Sequence, residues 1–136
     1  MSTPRDESLR WWRQAKRDTE IVLANYELGY FELICFLAQQ AAEKALKAYL
    51  FFQEGEEIWG HSTHILAKEC TECDSDFETL FPSCRKLDLY YIPTRYPNGL
   101  PDQVPYEAFG KESADEAIAA MKVVIDFIEQ KLPFTI

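Results

Sequence analysis

The chain is poor in the residues that break regular structure and has no excess of positive charge. Five Gly and seven Pro in 136 residues exclude a collagenous or linker-rich protein. The longest apolar run, Leu33 to Ala38, falls far short of the roughly 20 residues a membrane-spanning helix needs, so no membrane association is expected. The opening residues MSTPRDESLR carry charges with no apolar segment behind them, which reads as no secretion signal and predicts a cytoplasmic protein. Fourteen Lys and Arg against 23 Asp and Glu leave a net charge of -9, a field that repels nucleic acid at long range. Bulk electrostatics therefore gives no argument for RNA or DNA binding and leaves that question to local patches. One such patch is visible, because Arg5, Arg10, Arg13, Lys16 and Arg17 fall close together. The four cysteines, Cys35, Cys70, Cys73 and Cys84, sit in a chain with no export signal and ample apolar residues, so reduced thiols are expected. A glycine-rich phosphate loop, a nucleophile elbow and a paired-carboxylate arrangement are all missing.

What is present is helical periodicity. Apolar residues make up 47% and aromatics 14%, enough for one core, and the length predicts a single domain over residues 1–136 with its core at about 9–132. Helix 1 is expected from Thr3-Pro4 to about Tyr26: Thr suits an N-cap, Pro the first turn, and Asp6 and Glu7 the positive end of the helix dipole. Trp11, Trp12, Ala15, Thr19, Val22, Leu23 and Tyr26 gather on one arc, with Arg10, Arg13 and Arg17 opposite. Helix 2 is expected from about Tyr30 to Gln53, with Gly55 as its stop and Glu54, Glu56 and Glu57 as a polar exit. Gln39, Gln40, Glu43, Lys44 and Lys47 share one stripe of it, and five alanines on the opposite arc permit close helix approach, so helix 2 should be central. Helix 3 should be capped by Ser62 and run to about Cys73, with Trp59 packed at its entry. Helix 4 should open with a capping box Ser75–Glu78, and helix 5 with a second box, Ser113–Glu116. Pro93, Pro97, Pro101 and Pro105 argue against helix between Tyr90 and Glu112, and a loop that long is usually functional or docked on the surface. The expected class is all-α, an up-and-down antiparallel bundle of about five helices.

Four segments carry a family likeness: Trp12-x-x-Ala15-x-x-Asp18, Gln40-Ala-Ala-Glu-Lys-Ala-Leu-Lys47-Ala, Trp59-Gly-His-Ser62, and Asp88-Leu-Tyr-Tyr-Ile-Pro-Thr-Arg-Tyr-Pro97. Together, in this order, they resemble the HEPN domain over nearly the whole chain. The resemblance implies an up-and-down helical bundle of a kind that often forms a homodimer. Small stand-alone members are often paired with a minimal nucleotidyltransferase in toxin–antitoxin-like systems, and the family was named for a suspected nucleotide-binding role. Its better understood branches are metal-independent ribonucleases that use an Arg followed a few residues later by a His. Here Arg95 is followed by Tyr-Pro-Asn-Gly-Leu-Pro-Asp-Gln, and the two histidines, His61 and His64, lie upstream. The likeness carries the fold and does not carry the nuclease motif.

The candidate ligand-binding residues are Gln40, Glu43, Lys44, Lys47, His61, Tyr91, Arg95 and Tyr96. On the functional side, the helix 2 stripe forms a groove wall with lysines for phosphate, and Arg95 among tyrosines holds a phosphate beside a stacked base. On the structural side, the stripe is a solvated face with a Glu43–Lys47 pair, and Arg95 pairs with Asp88 or Glu43. His61 and Ser62 read first as a helix entry. Trp11, next to the inward Trp12, lies at the margin of the apolar arc, where a dimer partner can pack it. Cys70-x-x-Cys73 with His64 and Cys84 sketches a zinc site, but a single pair on a helix argues for two small packed residues, and neither metal nor cofactor is expected. The reading that follows is a non-catalytic binding module, homodimeric, with a nucleotide ligand and a nucleotidyltransferase partner. The alternative is a metal-independent ribonuclease toxin with a degenerate Arg/His site.

Overall fold

The computed structural model describes residues 3–54 and 58–134. Among these residues six α-helices form the domain: α1 (Pro4–Asn25), α2 (Phe31–Glu54), α3 (Thr63–Cys70), α4 (Phe81–Asp88), α5 (Pro105–Ala108) and α6 (Lys111–Lys131). Three short 3₁₀ turns, at Tyr26–Leu28, Ser75–Leu80 and Pro97–Gly99, join them, and no strand occurs among the described residues. The expected stop of helix 2 at Gly55 and the acidic residues Glu56 and Glu57 lie outside the described residues, as does the side chain of Glu54.

α1 starts as its sequence predicts. The Thr3 side chain accepts from the Asp6 amide at 3.1 Å, and the Asp6 carboxylate accepts from the Thr3 amide at 3.1 Å, a reciprocal box that uses two otherwise orphaned donors. The helix tightens into the Tyr26–Leu28 turn and ends at Gly29, whose φ of 76° is left-handed backbone that a Cβ would strain. Its buried stripe is Ser8, Trp12, Ala15, Asp18 and Val22. Leu23, which periodicity places on the apolar arc, is 44% exposed instead, because the stripe drifts around the helix and leaves it at the edge. Arg10, Arg13 and Arg17 are exposed as expected.

α2 is the central helix. It packs against α1, α6 and α3, and also touches α4 and α5. Ala38, Ala41, Ala42, Ala45 and Ala48 are all fully buried, and the small side chains let the backbones approach. The approach is close enough at one point for the buried Ser8 hydroxyl to donate to the Ala48 carbonyl at 2.6 Å. Lys16–Glu129 at 3.3 Å and Tyr26–Asp115 at 2.5 Å lay α1 antiparallel to α6, and Ser8–Ala48 with Asp18–Lys44 lays it antiparallel to α2. Burying Trp12 to 1% exposure contributes up to about 3 kcal/mol of transfer free energy. From α6, Ala117, Met121, Val124, Ile125 and Ile128, with Leu132 at its C-cap, complete the core.

The helix starts differ from expectation in an informative way. The segment Ser75–Leu80 is 3₁₀, capped by Asp74, whose carboxylate accepts from the Asp76 amide at 2.9 Å, and α4 proper begins at Phe81 with Pro82 in its first turn. Ser113 and Glu116 lie inside α6, which starts at Lys111 behind Gly110. In both places the box pattern sits beside the true start: Asp74 reaches the first amides of one, and Gly110 opens the other without a side-chain cap. α3 ends at Cys70, three residues earlier than expected. The proline-rich loop contains a sixth helix: Pro105 opens the one-turn α5, since proline at the first helical position loses no hydrogen bond.

Candidate functional site

Sequence leaves the Gln40–Lys47 stripe of α2 open to reading as a solvated face; the structure buries most of it. Gln39 is fully buried, Glu43 is 4% exposed and Lys47 5% exposed. α1 covers one flank, and the residues around His61 and Tyr91 cover the other. Periodicity gives the stripe its polarity but not its exposure, which depends on what packs over it.

Glu43 is the centre. Its carboxylate accepts from Lys47 Nζ at 3.1 Å and from Gln40 Nε2 at 3.3 Å, and meets His61 Nδ1 at 3.3 and 3.4 Å. With Glu43 ionised, Nδ1 carries the ring proton of neutral His61, which leaves Nε2 as the acceptor. The His61 side chain is 60% exposed, yet it is held on three sides. Glu43 fixes its ring nitrogen, Gln39 Nε2 donates to its carbonyl at 2.7 Å, and its ring stacks on Tyr91 at 5.1 Å and 17°. Gly60, with φ 99°, makes the turn that delivers it. A second donor from Gln40 to Gln39 Oε1, at 2.8 Å, closes the network, and no buried side-chain polar atom among the described residues lacks a partner.

Beyond Tyr91 lies Arg95. Its Nε donates to the Tyr91 carbonyl at 2.9 Å, and its guanidinium carbon sits 4.3 Å from the Phe36 ring centre, 4.8 Å from Tyr91 and 5.2 Å from Tyr96. The expected structural pairing of Arg95 with Asp88 or Glu43 does not form. Asp88 is taken by the start of α3, where it accepts from Ser62 Oγ at 2.6 Å, the Thr63 amide and hydroxyl at 2.7 Å each, and the His64 amide at 3.1 Å. Arg95 has no ion-pair partner among the described residues. A cation held by three rings and left without a carboxylate keeps its donors available to an anion.

The structure thus brings Lys47, Glu43, Gln40, His61, Tyr91, Arg95 and Tyr96 into one connected chain. Lys44 turns the other way, to Asp18 on α1, which also accepts from Gln14 Nε2 at 2.8 Å. Sequence reasoning misses Phe36, Gln39 and Trp11 as site residues, although Phe36 stands one turn before Gln40 on the same face. Trp11 is half-buried, stacked on Phe51 at 5.6 Å, with Lys47 Nζ 5.3 Å from its ring centre. Trp59, expected to be packed, is 76% exposed, while Ser62 caps α3 as expected, accepting from the Ile65 amide at 3.1 Å.

The remaining candidates separate from this cluster. His64 sits edge-on to Phe81 at 5.1 Å with Arg85 Nη1 3.5 Å from its Nε2, and burial, then Lys68 and Arg85, hold its pKa below the ordinary value. Cys35, Cys70 and Cys84 are buried and Cys73 is exposed; none is in a disulfide. Burial pushes the Cys35 and Cys84 thiols up to about 12, so neither offers a thiolate at neutral pH. No group of three or more His, Cys, Asp or Glu placed to hold a metal ion occurs among the described residues. No helix among them is long and apolar enough to cross a membrane.

The HEPN domain family matches this chain over residues 8–131. Among solved structures, a protein from Thermus thermophilus is 35% identical, with a TM-score of 0.85 over 93% of this chain and 98% of its own. An archaeal HEPN homologue is 36% identical, with a TM-score of 0.73 over 96% and 98%. A HEPN domain protein from Thermotoga maritima is 28% identical, with a TM-score of 0.70 over 93% and 99%. None of the curated proteins matches.

Proposed function

The chain belongs to the HEPN family, and from that premise we propose that it is a homodimeric binding module that takes a nucleotide between the α2 stripe and the Arg95 loop. On this reading it works with a minimal nucleotidyltransferase subunit in a toxin–antitoxin-like pair in the cytoplasm. The observation that carries the nucleotide part is the setting of Arg95: a guanidinium without a carboxylate partner among the described residues, bracketed by Phe36, Tyr91 and Tyr96. Guanidinium donors suit phosphate oxygens, and flanking rings suit a base. The half-exposed Tyr96 is the ring with surface to spare. A titration with ATP and GTP followed by calorimetry tests this reading. Binding should be saturable and weakened at least about tenfold by Arg95→Ala, as expected for loss of a charge-assisted contact. Light scattering after size exclusion tests the dimer, and co-purification with a co-expressed nucleotidyltransferase tests the partner.

A second reading rests on Glu43 and His61. A carboxylate that orients an exposed imidazole is the arrangement of a general base, here near Arg95, and it keeps the ribonuclease alternative in play despite the missing downstream His. Cleavage of labelled RNA that is lost in both His61→Ala and Arg95→Ala supports it. No cleavage by the wild-type protein removes it.

A further inference from the structure

A second concave surface lies on the opposite flank of the same α2 stripe. Glu7, Arg10, Trp11, Arg13, Gln14 and Lys44 line an open groove of about 720 Å³ between α1 and α2. We propose that this groove is a binding site for a polyphosphate chain. The preference of the groove for linked phosphates does not rest on the nucleotide reading above, because it follows from the groove's own charges.

Those charges run against the whole molecule. The chain carries -9 overall, yet three cations line this groove against two carboxylates, Glu7 in the lining and Asp18 behind Lys44. The three are held to different degrees. Lys44 is only 24% exposed and is fixed by Asp18, itself 7% exposed and braced by Gln14, so its position is set before any ligand arrives. Arg10 pairs at 2.8 Å with Glu7 one turn away on the same helix, and it is 72% exposed, so this pair has little strength and exchanges readily. Arg13 has no ion-pair partner among the described residues. One anchored cation flanked by two long guanidinium arms suits an extended polyanion: the lysine meets one phosphate and the arms close on its neighbours, often bidentately.

The indole of Trp11 limits what else fits. Phe51 stacks on it and the Lys47 cation lies over it, so Trp11 serves as a wall and not as a stacking platform for a base. A volume of about 720 Å³ exceeds what a single inorganic phosphate fills and lies within the range of small-molecule sites. Inside an acidic molecule, a cationic groove also concentrates anions locally while the surrounding field repels nucleic acid at long range. This favours a small polyphosphate over an RNA backbone.

The probe is inorganic tripolyphosphate, added to the full chain and followed by titration calorimetry and by the thermal midpoint, with sulfate at matched ionic strength as control. Saturable binding of one tripolyphosphate per chain is expected, with a raised midpoint that sulfate does not reproduce. Arg10→Gln/Arg13→Gln should weaken it about tenfold or more, while Lys122→Gln, at an exposed α6 lysine outside the groove lining, leaves it unchanged. Both arginines are surface residues, so the double variant should keep its helical circular dichroism, and a wild-type spectrum confirms that folding is not the cause. If ATP binds but tripolyphosphate does not, and the double variant binds ATP like wild type, the groove inference is overturned and the nucleotide reading stands. If tripolyphosphate binds in the expected way and Arg95→Ala leaves ATP binding unchanged, the groove stands and the nucleotide reading fails. An equal response to sulfate, or an equal loss of tripolyphosphate binding in Lys122→Gln, also overturns the groove.

Discussion

Two carboxylates organise the polar interior of this domain, and they finish their hydrogen bonds in opposite ways. Asp88, at the end of α4, closes on the start of α3: two amides and two hydroxyls from Ser62, Thr63 and His64. Every donor there is a helix-start group that needs an acceptor, so the arrangement is a staple between elements. Glu43, at the middle of α2, binds a buried lysine on one side and an exposed histidine on the other. Nothing about folding requires a carboxylate there, since burying an ion pair costs several kcal/mol in desolvation that the pairing recovers only in part. The contrast separates a carboxylate that serves the fold from one that spends stability to hold an imidazole at the surface.

The largest expected effect tests that cost. Glu43→Ala leaves Lys47 as a lone buried cation and should destabilise the domain by about 3–5 kcal/mol in urea unfolding. Replacing both residues by apolar ones, Glu43→Leu/Lys47→Met, should recover most of the loss. If the double variant is as unstable as the single one, the pair stabilises the fold and the contrast with Asp88 fails. Next comes Asp88→Ala, expected to cost about 2–4 kcal/mol because it strips acceptors from the α3 start, while nucleotide binding is retained in the folded fraction. Loss of binding in a fully folded Asp88→Ala would merge the two sites. A smaller effect is expected from Ser62→Ala, about 1 kcal/mol, the usual cost of losing an N-cap side chain.

Smaller still in stability, and sharper for function, is His61→Ala. With its side chain 60% exposed it should change stability by less than about 1 kcal/mol. If the second reading holds, it abolishes RNA cleavage. The smallest effect concerns the other histidine. His64 has its pKa held below the ordinary 6.5, first by burial and then by Lys68 and Arg85, with Asp88 opposing. The unfolded chain therefore takes up the proton first on acidification. The contribution of the neutral ring is fully present above pH 6.5 and is lost as pH falls through the lower native value. A modest fall in the urea midpoint between about pH 7.5 and 5.5, flattened in His64→Gln, is the expected outcome.

Sequence periodicity located α1, α2, α3, α4 and α6, because each buries a stripe that recurs with the helical period: Trp12, Ala15 and Val22 in α1, and Met121, Val124, Ile125 and Ile128 in α6. It missed α5, because a one-turn helix has no period to read and proline counted against it. It placed two capping boxes beside the true helix starts, because Ser, Asp and Glu are common enough to form the pattern twice within a few residues. Among the candidate residues, Arg95 and the Gln40–Lys47 stripe were visible as residue types in a pattern, and their meeting through His61 and Tyr91 was not.

Sequence by itself therefore determined the all-helical class, the central place of the alanine-faced α2 and the family likeness. These follow from local propensity and the spacing of apolar residues along one chain. Tertiary structure alone decided that the polar stripe is buried, that Asp88 belongs to the start of α3 and not to Arg95, and that Arg10, Arg13 and Lys44 converge on one groove. Each of these depends on which side chains from distant segments occupy the same space. Helical period fixes the direction in which a residue points and leaves open what stands opposite it.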